Sequence, residues 1–193
     1  MAEVVAFDSL GTLLDLGELG ESAAFRHVLH HAVCLTLAGE WRPFAEIAAA
    51  VDDELPERLQ QLDAKPDARA ALELVRSAGA EAWILTNGGR DATQRLVDRA
   101  GLSDVVPRIR TVEEVRRYKP AREVYQLAVE ALLVKKEDVG FVSSNCWDAI
   151  GAKSFGFSVY WINRSGAPVD RTGFAPDAQL SSLGDLPAAL RRA

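Results

Sequence analysis

Polar side chains that can act together in hydrolysis occur at four separate places in the chain. They are a carboxylate with a hydroxyl, a Thr-Asn pair, a lysine before a proline, and a segment ending in a second carboxylate: Asp8 and Thr12, Thr86 and Asn87, Lys119, and 143–148. A carboxylate can serve as nucleophile, general acid or general base, and a nearby lysine favours its ionised form. Each group alone is explained as a cap, a turn residue or a solvated charge, so the hypothesis depends on their joint order.

The stretch 4–15 predicts how the first carboxylate is positioned. The apolar run Val4–Phe7 ends on Asp8 and is followed by Gly11 and Thr12. This pattern is typical of a buried parallel strand that delivers one carboxylate to a loop at the carboxyl edge of the sheet. Open α/β sheets carry out their chemistry at that edge, and helix N-termini there favour anions.

Strand and helix patterns alternate from residue 67 onward. Strands are predicted at Glu81–Thr86, 108–112, Val139–Ser143, Ser158–Ile162 and Ala178–Leu180, and helices at Ala68–Ser77, 90–100, 121–133, Cys146–Phe155 and 186–191. Gly79 is the stop signal of the first of these helices, and Pro120 lies just inside the start of the third. We predict an α/β fold, a Rossmann-like doubly wound parallel sheet with right-handed crossovers and helices on both faces.

Two helical segments separate the first strand from this alternation. One runs over 21–38 and ends at Gly39, and an Ala-rich one runs over 45–59 after a connector that contains Pro43. The sequence therefore predicts a small helical cap, 16–65, inserted after the first strand. The core domain is then discontinuous and comprises 1–15 and 66–193.

Composition limits the classes of partner. The chain has 193 residues, of which 48% are hydrophobic, with a formal charge of -6 and a pI near 5.1. These values predict one ordinary core and give no electrostatic reason to expect nucleic acid or an anionic membrane. Cys34 and Cys146 are too few for a disulfide framework, and Glu3 and Asp8 stand where a signal peptide would be basic and then apolar. We expect a cytoplasmic protein with a small-molecule substrate.

The order of these motifs resembles the haloacid dehalogenase superfamily of hydrolases over 4–15 and 72–162. Asp8 matches the nucleophile of that family, Thr86-Asn87-Gly88 its second motif, Lys119 its third and Asp148 its fourth. Phosphatases of the superfamily carry a second Asp two residues after the nucleophile, where this chain has Leu10. Their fourth motif binds Mg²⁺ through paired acids, whereas this chain has 143–148, which ends in a single acid, so a hard divalent cation would be poorly held.

The segment Ser-Ser-Asn-Cys-Trp-Asp at 143–148 instead resembles the metal-independent L-2-haloacid dehalogenases. Tyr-Lys-Pro at 118–120, with Tyr125 six residues beyond the lysine, is similar to that branch too. The resemblance implies that the Asp8 carboxylate displaces halide from C2 of a short 2-haloalkanoate with inversion. Water then attacks the carbonyl of the resulting ester and releases a 2-hydroxy acid, with no metal or other cofactor.

The resemblance also implies roles for single residues. The catalytic set is Asp8, Thr12, Lys119, Ser143, Asn145 and Asp148, and the substrate-binding set is Leu10, Arg26, Phe44, Thr86, Asn87, Tyr125 and Trp147. Thr12, Ser143 and Asn145 are expected to orient the oxygens of Asp8. Asp148 is expected to hold Lys119 or to polarise the hydrolytic water. Tyr125 is expected to reach the substrate carboxylate or Asp8 itself.

In the cap, Phe25-Arg26 and the stretch 40–44 resemble the aromatic-Arg pair and the aromatic-x-Pro-Phe stretch of the family. Arg26 is expected to meet the substrate or the departing halide, with Arg42 as its rival. Phe44 and Trp147 are expected to be walls of the halide pocket. The lead-in to Arg26 and the stretch up to residue 67 are shorter than in a full dehalogenase cap, so at least one helix is expected to be missing.

Other functions remain open on the sequence. One is a Mg²⁺-dependent phosphatase of small esters, and another is a binding module, or a weak hydrolase with an altered substrate, that kept the fold after its cap shrank. His27 and His31 have zinc-binding spacing but no third ligand, and Cys146 is expected to pack against the sheet. The expected partner is a small 2-haloacid, with neither nucleic acid nor membrane, and a homodimer is left open.

Overall fold

Six parallel strands form one sheet in a computed structural model that describes residues 3–130, 134–169 and 173–190. The strands are β1 (Val4–Phe7), β2 (Glu81–Thr86), β3 (Arg108–Thr111), β4 (Val139–Ser143), β5 (Ser158–Ile162) and β6 (Ala178–Leu180). Their order across the sheet is β3-β2-β1-β4-β5-β6, and every neighbouring pair is parallel. The predicted α/β class and doubly wound parallel sheet are confirmed.

Helices cover both faces of this sheet. They are α1 (Ala23–Ala38), α2 (Phe44–Val51), α3 (Leu55–Leu59), α4 (Ala68–Ser77), α5 (Arg90–Arg99), α6 (Arg122–Glu130), α7 (Cys146–Phe155) and α8 (Leu186–Leu190). Alternate residues of β1 enter two separate apolar clusters, with Ala6 in one and Val5 and Phe7 in the other. The first cluster contains buried residues of α1, α2, α3, α6 and α7, and the second contains those of α4 and α8.

The order of the strands reverses between β1 and β4. In a doubly wound sheet, the helices on either side of such a point diverge and leave a crevice at the carboxyl ends of the strands. Asp8 directly follows β1, and its backbone N–H donates to the carbonyl of Val142 in β4 at 2.9 Å. Ser143 is the last residue of β4. The fold therefore brings the first and fourth sequence motifs to the same crevice.

The strands are the part of the secondary structure that the sequence predicts best. β2, β4, β5 and β6 have the predicted bounds, and β3 ends one residue earlier than expected. Each central strand is buried along nearly its whole length. A strand that is buried on both faces has an uninterrupted apolar sequence. Such a strand can be predicted from that sequence without knowing which strands lie beside it.

The prediction of one helix over 45–59 is wrong. The structure has α2 and α3 instead, separated by an extended Asp52, whose carboxylate accepts a hydrogen bond from the backbone N–H of Glu54 at 3.0 Å. An Asp side chain that binds the backbone in this way competes with the helix. Pro56 then lies in the first turn of α3, where its missing N–H costs nothing.

The starts of two other helices also differ from prediction. α1 begins at Ala23 and not at 21, because Ser22 caps it: its Oγ accepts from the N–H of Phe25 at 3.1 Å. α6 begins after Pro120, at Arg122, so the proline precedes the helix. The predicted end of α6 at 131–133 and that of α8 at 191 lie outside the described residues.

The three helices between β1 and α4 pack on one another and on the core. Phe25 and Val28 of α1, Phe44 of α2 and Leu55 of α3 are buried in the same apolar cluster as the core residues of α6 and α7. The division into a core and a cap at 16–65 stays a prediction. In the described part of the chain, no helix combines the length and apolar character needed to cross a bilayer.

Candidate active site

The carboxylate of Asp8 is held from three directions. Its Oδ1 accepts from Lys119 Nζ at 3.0 Å, and its Oδ2 accepts from Thr12 Oγ1 at 3.1 Å and from Asn145 Nδ2 at 2.9 Å. Only 5% of Asp8 is exposed. These donors fix the rotation of the carboxylate, so that its free lone pairs face a defined direction. A carboxylate that is buried, charged and held in this way is suited to attack a bound electrophile.

Lys119 lies between two carboxylates. Its Nζ donates to Asp8 Oδ1 at 3.0 Å and to Asp148 Oδ2 at 2.8 Å, and the side chain is fully buried. Burial alone would lower the pKa of Lys119, but the charges of Asp148 and Asp8 outweigh burial and raise that pKa above its usual value. Lys119 is therefore charged at neutral pH, and its ammonium compensates one of the two negative charges beside it.

The carboxylate of Asp148, like that of Asp8, accepts three side-chain hydrogen bonds. Its Oδ2 accepts from Lys119 and also from Ser143 Oγ at 3.2 Å, and its Oδ1 accepts from the hydroxyl of Tyr125 at 2.7 Å. Burial raises the pKa of Asp148 to about 6, against the opposing effect of the Lys119 charge. Burial, followed by the charge of Asp148, raises the pKa of Tyr125 well above its usual value, so its phenol stays a donor.

Two of these contacts differ from what the sequence suggested. Ser143 was expected to orient Asp8, but its hydroxyl donates to Asp148 and accepts from the backbone N–H of Asn145 at 3.1 Å. Tyr125 was expected to reach Asp8 or substrate, but its hydroxyl binds Asp148. Ser143 binds the same Asp148 oxygen as Lys119, and Tyr125 binds the other one. Of the alternatives for Asp148, the structure has the one in which it holds Lys119.

A buried set of hydrogen bonds supports the loops that carry these residues. Thr86 shares a hydrogen bond with Ser9 at 2.6 Å between their hydroxyl oxygens and accepts from the N–H of Gly88 at 3.0 Å. Asn87 Oδ1 accepts from the backbone N–H of Lys119 at 2.9 Å. The second motif thus ties the loop after β2 to the loop after β1 and to the lysine.

Gly151 allows α6 and α7 to approach closely enough for the contact between Tyr125 and Asp148. A Cβ at Gly151 would lie 2.5 Å from the hydroxyl of Tyr125 and 2.5 Å from Cβ of Pro120, the residue that follows Lys119. No side chain larger than hydrogen fits between these atoms without moving them. The sequence alone gave this glycine no role, because its neighbours are remote along the chain.

A cavity of about 540 Å³ opens beside the nucleophile. It is lined by Ser9 and Leu10, which directly follow Asp8, by Thr86 and by Phe44 of α2. Farther out it is bounded by residues of α3 and by the first turns of α5. Leu10 and Phe44 are therefore next to the site, as the sequence suggested. Gln60 and Arg95 also line this cavity, and sequence reasoning assigned them no role.

The two cap arginines lie on the surface. Arg26 is exposed, and its guanidinium donates to the backbone carbonyl of Glu21. Arg42 is also exposed, and its Nη1 donates to the carbonyl of Trp41 at 2.7 Å. Neither side chain lines the cavity beside Leu10, and Trp147, which is half-buried, does not line it either. Their substrate-binding roles stay predictions.

Tyr118, the residue before Lys119, was also missed by sequence reasoning. Its ring stacks on Trp41 with centroids 4.8 Å apart, its hydroxyl donates to the carbonyl of Arg42 at 2.7 Å, and its N–H donates to Thr36 Oγ1 at 2.9 Å. It is completely buried. The Tyr-Lys-Pro motif was the available signal, but the partners of the tyrosine are set by the packing of α1 and α2.

The donors present do not suit a metal ion. Among the residues that the structure describes, no group of three or more His, Cys, Asp or Glu side chains could hold one. His27 and His31 lie on the exposed face of α1, with their rings tilted and their centroids 4.5 Å apart. At Asp8 and Asp148, the two carboxylates share the ammonium of Lys119, which takes the position that a bridging cation would need.

Comparison with known proteins shows one family and relatives that agree with it. Residues 2–156 match the haloacid dehalogenase-like hydrolase family. The chain is 28% identical to the (S)-2-haloacid dehalogenase H-109 of Pseudomonas putida, over 95% of this chain and 96% of that protein. It is 32% identical to the haloacetate dehalogenase H-2 of Moraxella sp. (strain B), over 91% of this chain and 92% of that protein.

Solved structures agree with the sequence relatives. The L-2-haloacid dehalogenase from Xanthobacter autotrophicus superposes with a TM-score of 0.86 at 29% identity, and the match covers 99% of each chain. The same protein with chloropropionic acid covalently bound superposes with a TM-score of 0.84, again at 29% identity and over 99% of each chain.

Proposed function

The chain belongs to the haloacid dehalogenase-like hydrolase family, and from that premise we propose that it hydrolyses the carbon–halogen bond of (S)-2-haloalkanoic acids to give 2-hydroxy acids. Relatives at 28% and 32% identity over almost the whole chain are named for dehalogenation of 2-haloacids and haloacetate. The observation that carries the proposal is the single ammonium of Lys119, which bridges the carboxylates of Asp8 and Asp148. It supplies the positive charge that a metal supplies in other hydrolases.

In the first step, an oxygen of Asp8 attacks C2 of the substrate from the side opposite the halogen. A C–O bond forms, the carbon–halogen bond breaks, and the halide leaves with the bonding electrons, so C2 inverts. Thr12 and Asn145 hold Oδ2 and Lys119 holds Oδ1 before substrate arrives, so little reorganisation is needed at the moment of attack. The relative with chloropropionic acid covalently bound supports an ester of this kind.

In the second step, water attacks the carbonyl carbon of the Asp8 ester. The acyl C–O bond breaks, the 2-hydroxy acid leaves, the Asp8 carboxylate is regenerated and one proton is released. Negative charge develops on the carbonyl oxygen of the ester as water adds to it, and the ammonium of Lys119, 3.0 Å from Oδ1 of Asp8, stabilises that charge. Asp148 holds that ammonium in place, and we assign it as the acceptor for the proton of the attacking water.

For substrate binding, we assign Thr86 and Asn87 to the polar rim of the site at the end of β2. We assign the apolar walls of the site to Leu10, Phe44 and Trp147. Arg26, in the proposed cap formed by α1, α2 and α3, is assigned to the substrate carboxylate or the departing halide. For Arg26 to act in this way, its guanidinium must leave the carbonyl of Glu21.

The test is halide release from (S)-2-chloropropionate and (S)-2-bromopropionate, measured with and without EDTA. We expect stoichiometric halide and 2-hydroxy acid that chelation does not reduce. The same preparation with p-nitrophenyl phosphate and Mg²⁺ is the control for a phosphatase. Phosphate release that requires Mg²⁺ would overturn the proposal in favour of the phosphatase, and no product in either assay would favour a binding module.

Two finer expectations accompany the proposal. A cytoplasmic location and a homodimer both stay predictions, and cell fractionation and sedimentation of the purified protein are their direct tests.

A further inference from the structure

The cavity beside Asp8 is larger than a two- or three-carbon haloacid needs. Its volume is about 540 Å³, within the range of roughly 300–1,000 Å³ typical of sites for drug-sized ligands. Its inner wall is formed by Ser9 and Leu10, the two residues after Asp8, and by Thr86, whose hydroxyl is bonded to Ser9. A group attached to C2 of a substrate at Asp8 would therefore enter this space.

Apolar side chains from four elements line the cavity. Leu10 comes from the loop after β1, Phe44 and Ala45 from α2, Leu59 from α3, and Leu96 from α5. Apolar walls favour an apolar occupant, because each methylene that leaves water for such a surface contributes to binding. The rest of the lining is polar and includes Gln60, Arg90, Asp91, Arg95 and Glu113. Arg95 Nε donates to Gln60 Oε1 at 3.3 Å, which joins α5 to the segment after α3.

We infer that this cavity binds the side chain of the substrate, and that the preferred substrates are 2-haloacids with an apolar chain of several carbons at C2. The inference rests on the proposed function and extends it to a substrate class. The preference for the length of the alkyl chain is then determined by Leu10, Phe44, Leu59 and Leu96. The groups at the carboxyl end of the sheet carry out the reaction on every substrate whose alkyl chain fits the cavity.

The experiment compares kcat/KM for (S)-2-bromopropionate, (S)-2-bromohexanoate and (S)-2-bromooctanoate. We expect kcat/KM to rise by about threefold to fourfold for each added methylene until the cavity is filled. A flat or falling series would overturn the inference while leaving the proposed function intact. Absence of halide release from every member would overturn both.

Two variants test where the alkyl chain of the substrate binds. Ala45→Phe on α2 and Ala92→Phe on α5 place rings into the cavity from opposite sides. Each should lower the octanoate-to-propionate ratio of kcat/KM by about tenfold, the value of a few buried methylenes. Ala49→Phe is the matched control, since Ala49 is exposed on the same helix and does not line the cavity. An unchanged ratio of kcat/KM values in both cavity variants would place the alkyl chain of the substrate outside this cavity.

A binding measurement tests the role of the cavity independently of turnover. With Asp8→Asn, titration calorimetry should give a tighter Kd for (S)-2-bromooctanoate than for (S)-2-bromopropionate, and Ala45→Phe added to that variant should remove the difference. Equal Kd values for the two ligands in Asp8→Asn would contradict the inference independently of any rate.

Discussion

On the sheet side of Asp8 the polar groups are buried and bonded to one another, whereas on the side of α1, α2 and α3 the arginines are exposed and a cavity remains. Lys119, Thr12 and Asp148 have no exposed surface, and every charged atom among them has a partner. In the part of the chain that the structure describes, the guanidinium groups of Arg26 and Arg42 donate to backbone carbonyls near them in sequence. The chemical groups are thus positioned before substrate arrives, while the groups that recognise substrate are not.

The difference has an energetic cause. A charge taken out of water is costly unless it is paired and hydrogen-bonded, so a buried Asp–Lys–Asp set tolerates the loss of none of its members. The cavity wall consists of separate apolar side chains from several helices, and such surfaces accept changes of size at modest cost. We therefore expect changes on the sheet side to abolish activity and changes on the helical side to retune it.

The largest effect is expected from Asp8→Asn, which should lower kcat by about 10⁴-fold or more, because an amide is a far poorer nucleophile. Halide release by purified protein measures this effect, and Asp53→Asn, at an exposed position in the loop before α3, is the matched control. A slow return of activity would indicate deamidation to aspartate. A wild-type rate at the outset would remove Asp8 from the mechanism.

Gly151→Ala tests whether the sheet side depends on close packing behind it. The added Cβ would meet the hydroxyl of Tyr125 and Pro120 at 2.5 Å, so Asp148 and Lys119 should shift together. A misplacement of this order costs about 10²-fold in kcat. Ser154→Ala, at an exposed position on the same helix, should leave kcat and Tm unchanged. A normal kcat in Gly151→Ala would show that the Tyr125 contact is dispensable.

The acid limb of the pH profile should report Asp148, whose pKa burial raises to about 6. Below that pH the carboxyl is neutral, so kcat/KM should fall by about tenfold for each further pH unit. Tyr125→Phe removes a hydrogen bond that lowers this pKa, so the limb should move to higher pH. A limb that stays in place in Tyr125→Phe would assign it to another group.

Unfolding should not account for this loss of activity. The folded-state pKa of Asp148 lies above the unfolded value of 3.8, so its protonation between pH 6 and 3.8 favours the folded state. The hydrogen bond from Lys65 lowers the pKa of Asp15. Burial acts to raise the pKa of Asp67, but hydrogen bonds from Arg164 and the Leu183 N–H outweigh burial and lower it, so the stabilising effect of both acids is lost only below pH 3.8. We expect Tm at pH 5 to remain near its neutral value, which circular dichroism measures.

The smallest effect is expected in the cap. If Arg26 meets the substrate or halide, Arg26→Lys should lower kcat by about tenfold or less, because an ammonium lacks the planar pair of donors of a guanidinium. Arg42→Lys, the matched control on the neighbouring segment, should be nearly silent. The reverse ranking would move the role to Arg42, and two silent variants would mean that the helical side supplies no arginine.

The sequence predicts the sheet side of the molecule much better than the helical side. Buried strands such as β4 are marked by continuous apolar runs, and the parallel sheet then brings their ends, with Asp8 and Ser143, to one edge. Which acid Tyr125 binds depends on how closely α6 approaches α7, and a short-range pattern does not record that distance. The break between α2 and α3 depends on the side chain of Asp52, which binds the backbone. The cavity is formed by four elements that are remote along the chain, so the local sequence does not predict it.

The contacts of Tyr118 join two parts of the molecule that are remote along the chain. This residue precedes Lys119, and it contacts Thr36 of α1, the ring of Trp41 and the carbonyl of Arg42 in the connector before α2. A rotation of α1 away from the sheet would have to break all three contacts. We therefore expect α1, this connector and the loop that carries the lysine to move as one rigid unit.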